Sequence, residues 1–220
     1  MNEFLKRFKN VKGAIFDLDG TLIDSMNVWR DIDIEFFSRH GLVYEDSYQK
    51  AIGHKGLKEI AKYTKEAYSL EESEEEIVSI WLDMAKDYYE NKINLKPGVK
   101  GFLQYLKSNN IKIGLATSNS LELTLSILNR HGIYSYFDKI LTVNELKADK
   151  SSPLIYLTIA SYFNLVPNQC AVFEDLITGI KTAKEAGFIT VGVEDKSSLD
   201  KKEEIKNISS FYIKDFFSFL

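Results

Sequence analysis

The sequence predicts an α/β fold, a parallel sheet with helices on both faces and one helical insert. Short apolar runs bounded by Gly, Asn or Asp read as buried strands at 13–16, 111–116, 139–143, 170–173 and 189–193. Helical patterns stand between them, at 99–107, 121–131, 153–163 and 178–186. Strands that alternate with helices build a parallel sheet through crossover connections. The alternation fails once: from Ser25 to Asn91 the pattern is helical throughout.

Each element carries its own punctuation. Gly132 and Gly187 stand just past two of the helices, where a left-handed residue closes the last turn. Pro153 suits a first helical turn, where its missing N–H does no harm. Ser73 followed by Glu76 forms a capping box that opens a helix running towards Tyr89. The acidic run from Glu71 to Glu76 therefore reads as a solvated helix start favoured by the macrodipole, not a metal site. Pro97-Gly98 returns the chain to the alternating pattern. The division that follows is a discontinuous core, 1–22 and 94–220, and a helical domain, 23–93.

At 220 residues the chain suits one core with a substantial insertion. Apolar residues make up 45% of it, enough for a packed core. The net charge is -4 and no basic stretch stands out, which argues against nucleic acid or an anionic membrane as partner. No apolar run approaches the length of about 18 residues that spans a bilayer. The first ten residues mix charges with phenylalanines and lack a signal-peptide core. The lone cysteine, Cys170, lies in an apolar run and reads as a buried structural thiol in a reducing compartment. A soluble cytoplasmic protein is expected, as a monomer or weak dimer.

The chemistry gathers at strand ends. The first strand closes in Phe16-Asp17-Leu18-Asp19-Gly20-Thr21-Leu22. Two carboxylates one residue apart repel, and each resists desolvation. A divalent cation relieves both costs, and carboxylate oxygens suit Mg²⁺. An isolated Asp-x-Asp would more simply cap the next turn. Here Thr117 closes the second strand, Lys150 precedes a helix, and Glu174-Asp175 closes a later strand. A parallel sheet gathers such groups at one edge. A nucleophilic carboxylate, a hydroxyl, an amine and further carboxylates suffice for phosphoryl transfer, which needs positioning and charge neutralisation above all.

Asp17 to Ser25, read as Asp-x-Asp-Gly-Thr-Leu-x-Asp-Ser, resembles the first motif of the haloacid dehalogenase (HAD) superfamily. Thr117, Lys150 and Glu174-Asp175 match its second, third and fourth motifs in order and approximate spacing. The resemblance covers nearly the whole chain and implies a Rossmann-like core with an α-helical cap at 23–93. It implies that Asp17 attacks phosphorus to form an aspartyl-phosphate, while Asp19 protonates the leaving oxygen and then deprotonates water. It also implies Mg²⁺ held by Asp17, the Asp19 carbonyl and Asp175, with Glu174 contributing through water. Thr117 and Lys150 would engage the phosphoryl group, and main-chain N–H groups near Leu18, Ser118 and Asn119 would complete the cradle. Lys147 competes with Lys150, but the spacing to Pro153 and Tyr156 favours Lys150. Ser151, Leu154 and Leu176 stand where proline, aspartate and serine are usual. Thr21 is a candidate to position Asp19, and Asp24 reads as a capping residue.

The resemblance also frames the alternatives. Asp19 argues against the halide-removing branch, which lacks this second acid. A β-phosphoglucomutase-type mutase shares core and cap. It resembles Gly-x-x-Arg on a cap loop and a histidine on the first cap helix, where this chain has Gly53-His54-Lys55-Gly56 and Trp29. A phosphoacceptor signalling domain is shorter and lacks the insert. The favoured expectation is a Mg²⁺-dependent phosphatase of small-molecule phosphate esters, sugar phosphates or nucleotide-like monophosphates. Trp29 and Lys55 are candidate contacts for the leaving group. His40 and His131 precede glycines at helix ends, where a histidine favours the dipole, and neither reads as a ligand.

Overall fold

The computed structural model describes residue 8 and residues 10–52, 57–146 and 150–219. Six strands form one sheet: β1 (Gly13–Phe16), β2 (Lys112–Thr117), β3 (Lys139–Thr142), β4 (Cys170–Glu174), β5 (Ile189–Val193) and β6 (Phe211–Ile213). All neighbours are parallel, in the order β3-β2-β1-β4-β5-β6. The order reverses direction at β1, so a crevice opens beside its carboxyl end. The helices are α1 (Val28–Arg39), α2 (Asp46–Ile52), α3 (Leu57–Tyr68), α4 (Glu74–Asp87), α5 (Val99–Ser108), α6 (Leu121–Arg130), α7 (Val143–Leu146), α8 (Leu154–Tyr162), α9 (Ile177–Glu185) and α10 (Lys202–Ile208).

Five strands fall where the sequence places them, with shifted ends that have local causes. Ile111 is not in β2, because its N–H returns to the Leu106 carbonyl (3.0 Å) and closes α5. Val143 leaves β3 to begin α7. β4 extends through Glu174. The sixth strand was not expected: three residues are too few to show an alternation, and of them only Ile213 is fully buried.

Alternation along the strands sends side chains to two packed faces. Phe16 stacks on Phe173 at 4.4 Å between centroids and meets Phe102 of α5 edge-on at 6.1 Å. Ile15 and Val172 point the other way, into a cluster with Ile155, Tyr156 and Ile159 of α8 and Cys170. Helices therefore cover both faces, and β1 is buried throughout. Gly132 and Gly187 take positive φ (63° and 87°) beyond α6 and α9, as their placement requires. Pro153 stands just before the first residue of α8, and its carbonyl accepts the N–H of Leu157 (3.0 Å). Cys170 is fully buried and free, and burial pushes its thiol up to about 11.

The chain divides into two compact units. One runs up to Met26 and resumes at Ile93; the other is Asn27–Lys92. The second unit is all helical. Ser73 and Glu76 form the reciprocal capping box at the start of α4, which passes at Asp87 into a π-helical turn, Tyr88–Lys92. α4 buries Ile77, Trp81, Met84 and Ala85, a single stripe. Against it packs an aromatic cluster in which Phe36 meets Trp81 at 5.5 Å and Phe37 meets Tyr48 at 4.8 Å and Tyr68 at 4.6 Å. His40 caps α1 with Nδ1 on the Phe36 carbonyl and Nε2 on Glu72 (2.8 Å). Among the described residues no helix is long and apolar enough to cross a membrane.

Candidate active site

Three strand ends meet at the switch in strand order. Phe16 pairs with Leu115 on one side and Phe173 on the other. Asp17, the next residue, therefore stands abreast of Ala116 and Glu174, with its N–H on the Phe173 carbonyl (3.0 Å). Thr117 and Asp175 lie one step further along β2 and β4. Sequence-distant polar groups thus converge because three parallel strands end together.

Asp17, Glu174 and Asp175 are all buried, and each offers a carboxylate oxygen within 4.8 Å of the others. Lys150, just before α8, bridges two of them. Its ammonium bonds Asp17 Oδ1 and, at 2.9 Å, Glu174 Oε1. Tyr156 donates to the same Glu174 oxygen at 3.1 Å. Glu174 Oε2 accepts the N–H groups of Asp175 and Leu176, both at 3.1 Å. Glu174 is thus saturated by four donors. Asp17 Oδ2 has no hydrogen bond among the described residues.

Electrostatics mark the cluster as incomplete. Burial, then Lys150, then the like charges of Glu174 and Asp19 act on Asp17, and the sum holds its carboxyl well above the usual range. Asp175 is raised further, by burial and by the charges of Asp17 and Glu174. Asp175 Oδ1 accepts the Thr21 hydroxyl at 3.1 Å, but Oδ2 is buried with no partner. Three buried carboxylates with one lysine and one orphaned oxygen fit a divalent cation. Gly20 belongs to the same design. It has φ +79°, and a Cβ there would run into the Asp175 carboxylate.

Asp19 is only half-buried and is held from two sides. Ser25 donates to Oδ1 at 2.7 Å, and the Asn119 amide donates to Oδ2 at 3.1 Å. The Leu18 carbonyl accepts the N–H groups of Leu22 (2.9 Å) and Ile23 (3.1 Å), which tightens the turn that aims Asp19. Thr117 is fully buried, and its Oγ1 accepts the Asn119 N–H at 3.0 Å, leaving its own proton to donate.

One sequence expectation needs correction. Thr21 bonds Asp175, not Asp19. The Asn119 N–H is held by Thr117 Oγ1 and one of its amide N–H groups by Asp19, so Asn119 helps to orient the acid. Ser118 is exposed at the strand end. Trp29 is half-exposed on α1. Lys55, His54 and Lys147 lie outside the described residues. Sequence reasoning missed Tyr156 and Ser25 as partners of the acids. It also missed the buried pair Lys96–Asp195 (2.8 Å), whose charges both act on Asp175. The motif spacing named Tyr156 and Ser25 without assigning them work, whereas nothing local links Lys96 to Asp195.

Residues 14–193 match the family model for haloacid dehalogenase-like hydrolases. The chain is 29% identical over 177 residues to a phosphorylated carbohydrates phosphatase of Thermotoga maritima, covering 80% of this chain and 82% of that one. It is 33% identical over 196 residues to β-phosphoglucomutase of Bacillus subtilis, covering 83% of each. A crystal structure from Thermotoga maritima described as a candidate β-phosphoglucomutase superposes with a TM-score of 0.83 at 28% identity, over 93% of this chain and 94% of that one.

Proposed function

The chain belongs to the haloacid dehalogenase-like hydrolases, and on that premise we propose that it is a Mg²⁺-dependent phosphatase of small phosphomonoesters, working through an aspartyl-phosphate on Asp17. The observation that carries this reading is the buried cluster at the β1 end. In it, one oxygen of Asp17 is held by Lys150 and the other is unbonded.

In the first step Asp17 Oδ2 attacks phosphorus while the bond from phosphorus to the ester oxygen breaks. Asp19, oriented by Ser25 and Asn119, gives its proton to the departing oxygen. In the second step the Asp19 carboxylate takes a proton from water, whose oxygen attacks the same phosphorus. The bond to Asp17 breaks, phosphate leaves, and both acids are restored. Thr117 donates to a phosphoryl oxygen, with Ser118 beside it at the strand end. Lys150 neutralises charge on Asp17 and the phosphoryl group. Mg²⁺, held by Asp17, Asp175 and the Asp19 carbonyl, would offset phosphoryl charge as an anionic nucleophile approaches an anionic ester. Glu174 would contribute to holding the metal through water.

The leaving group is a sugar or nucleotide-like alcohol, selected by the helical unit as a cap, with Trp29 and Lys55 as contacts. Cytoplasmic location, and a monomer or weak dimer, complete the reading. The relationship to B. subtilis β-phosphoglucomutase supports a second one, a sugar-phosphate mutase. Against it, Trp29 and Gly56 stand where that type resembles a histidine and an arginine.

Phosphate release from a panel of phosphomonoesters, with Mg²⁺ and with excess chelator, tests the choice. A phosphatase releases phosphate only with the metal. A mutase yields an isomeric sugar phosphate with little free phosphate, and that result would overturn the reading.

A further inference from the structure

Lys96 and Asp195 are buried charges that the proposed reaction does not use; Lys96 is 7% exposed and Asp195 4%. The Lys96 ammonium donates to Asp195 Oδ2 at 2.8 Å and to the Glu194 carbonyl at 2.7 Å, just beyond the end of β5. Asp195 Oδ1 accepts the Ser197 N–H (2.8 Å) and hydroxyl (2.7 Å), so both carboxylate oxygens are held. A buried ion pair contributes little net stability against apolar residues of the same volume, so stability is a weak reason for its presence. The main chain of the same segment reaches the turn that follows β1. The Lys96 N–H donates to the Leu22 carbonyl at 2.9 Å, the Asn94 carbonyl accepts the Asp24 N–H at 3.0 Å, and Ile23 bridges to Leu95 between them. That turn also touches Asp175: the Thr21 hydroxyl donates to Oδ1 at 3.1 Å, and Gly20 leaves no room for a Cβ beside the carboxylate. One chain of contacts thus runs from Asp195 through Lys96 and Leu22 to Thr21 and Asp175. Thr21 occupies Oδ1, and the buried Oδ2 is left without a partner.

We infer that the Lys96–Asp195 pair is a positioning device for Asp175. It anchors the segment that holds Leu22, keeps Thr21 on Oδ1, and so presents Oδ2 to a divalent cation. The pair does this without adding net charge beside the three clustered carboxylates. A lone lysine there would repel the cation, whereas a neutral pair leaves the attraction intact. The inference deepens the phosphatase reading and rests on its assignment of Asp175 as a metal ligand.

Mn²⁺, which takes the same oxygen ligands as Mg²⁺, is the probe. Electron paramagnetic resonance of free Mn²⁺ measures its affinity for the full chain in the absence of any ester. Lys96→Met/Asp195→Asn removes both charges and keeps an acceptor for Ser197. Loss of a whole buried pair is commonly tolerated, and thermal melts check that the variant folds. Its Mn²⁺ affinity should fall about threefold or more. Thr21→Val, which breaks the last link, should cost about tenfold or more, and in that background the pair variant should lose little further. Lys96→Met alone should also bind more weakly, although the charge left on Asp195 by itself attracts a cation; it decides the matter if the double variant does not fold. A pair that is only structural lowers the melting temperature and leaves Mn²⁺ affinity unchanged, and that result would overturn the inference. So would tighter binding in Lys96→Met, or an undiminished further loss on top of Thr21→Val. Unchanged affinity in a variant of a protein that releases phosphate only with the metal would reject the positioning role alone. Weakened affinity with no phosphate release by the unaltered protein would reject the phosphatase reading alone, and no Mn²⁺ binding by the unaltered protein would reject both.

Discussion

The acidic strand ends of the core and the interior of the helical unit treat buried charge in opposite ways. At the strand ends, carboxylates are crowded and cross-linked: Lys150 joins Asp17 to Glu174, Tyr156 joins Glu174, and Thr21 joins Asp175. In the helical unit the buried carboxylate of Asp33 makes no hydrogen bond or ion pair among the described residues. Clustered charge holds reacting groups in place, and removing one member unbalances the rest. A solitary charge is expensive but separable, so its loss is felt locally. Substitutions in the two regions should therefore differ in both size and sign.

Lys150→Met should have the largest effect, because it removes the ammonium that joins buried Asp17 to Glu174. We expect phosphate release to fall by about 10²-fold or more. The midpoint of chemical denaturation should correspond to a loss of about 3 kcal/mol near neutral pH. An unchanged denaturation midpoint would break the contrast between the regions. Tyr156→Phe removes one hydrogen bond to a charged oxygen of Glu174. It should cost about 1.5–3 kcal/mol, with kcat lowered more than KM raised, since the substrate itself is not touched.

Asp33→Asn should act with the opposite sign. Burial raises the folded-state pKa of Asp33 from 3.8 to about 7. The stability it contributes is fully present below 3.8 and is lost as pH rises through about 7. The melting temperature of Asp33→Asn relative to the unaltered protein should therefore climb between about pH 4 and pH 8. A flat difference would show that Asp33 has a partner. Ser73→Ala should have the smallest effect: loss of the capping box destabilises by about 1 kcal/mol in thermal melts and leaves kcat unaltered.

The comparison also explains what was legible in the sequence. Asp17, Asp19, Thr117 and Glu174-Asp175 each sit at the end of a recognisable strand, so a parallel sheet alone brings them together. The capping box at Ser73 and the glycines past α6 and α9 were legible because their chemistry is local. Tyr156 on Glu174, Thr21 on Asp175 and Asn119 on Asp19 were not, since each depends on side-chain direction across 18 to 154 residues of sequence. Asp33 was invisible for a different reason: on an amphipathic helix one acid reads as a solvated position until packing shows its surroundings.

The central claim is a covalent bond from phosphorus to Asp17, and Asp19→Asn with an aryl phosphate tests it most directly. A phenolate leaves without needing a proton, so the first step survives the substitution. Water lacks its base, so the second step stalls. Intact-protein mass after acid quenching should then show one added phosphoryl group, with peptide mapping placing it on Asp17. No adduct under conditions where the unaltered protein turns over the ester, or an adduct on any other residue, would contradict the account.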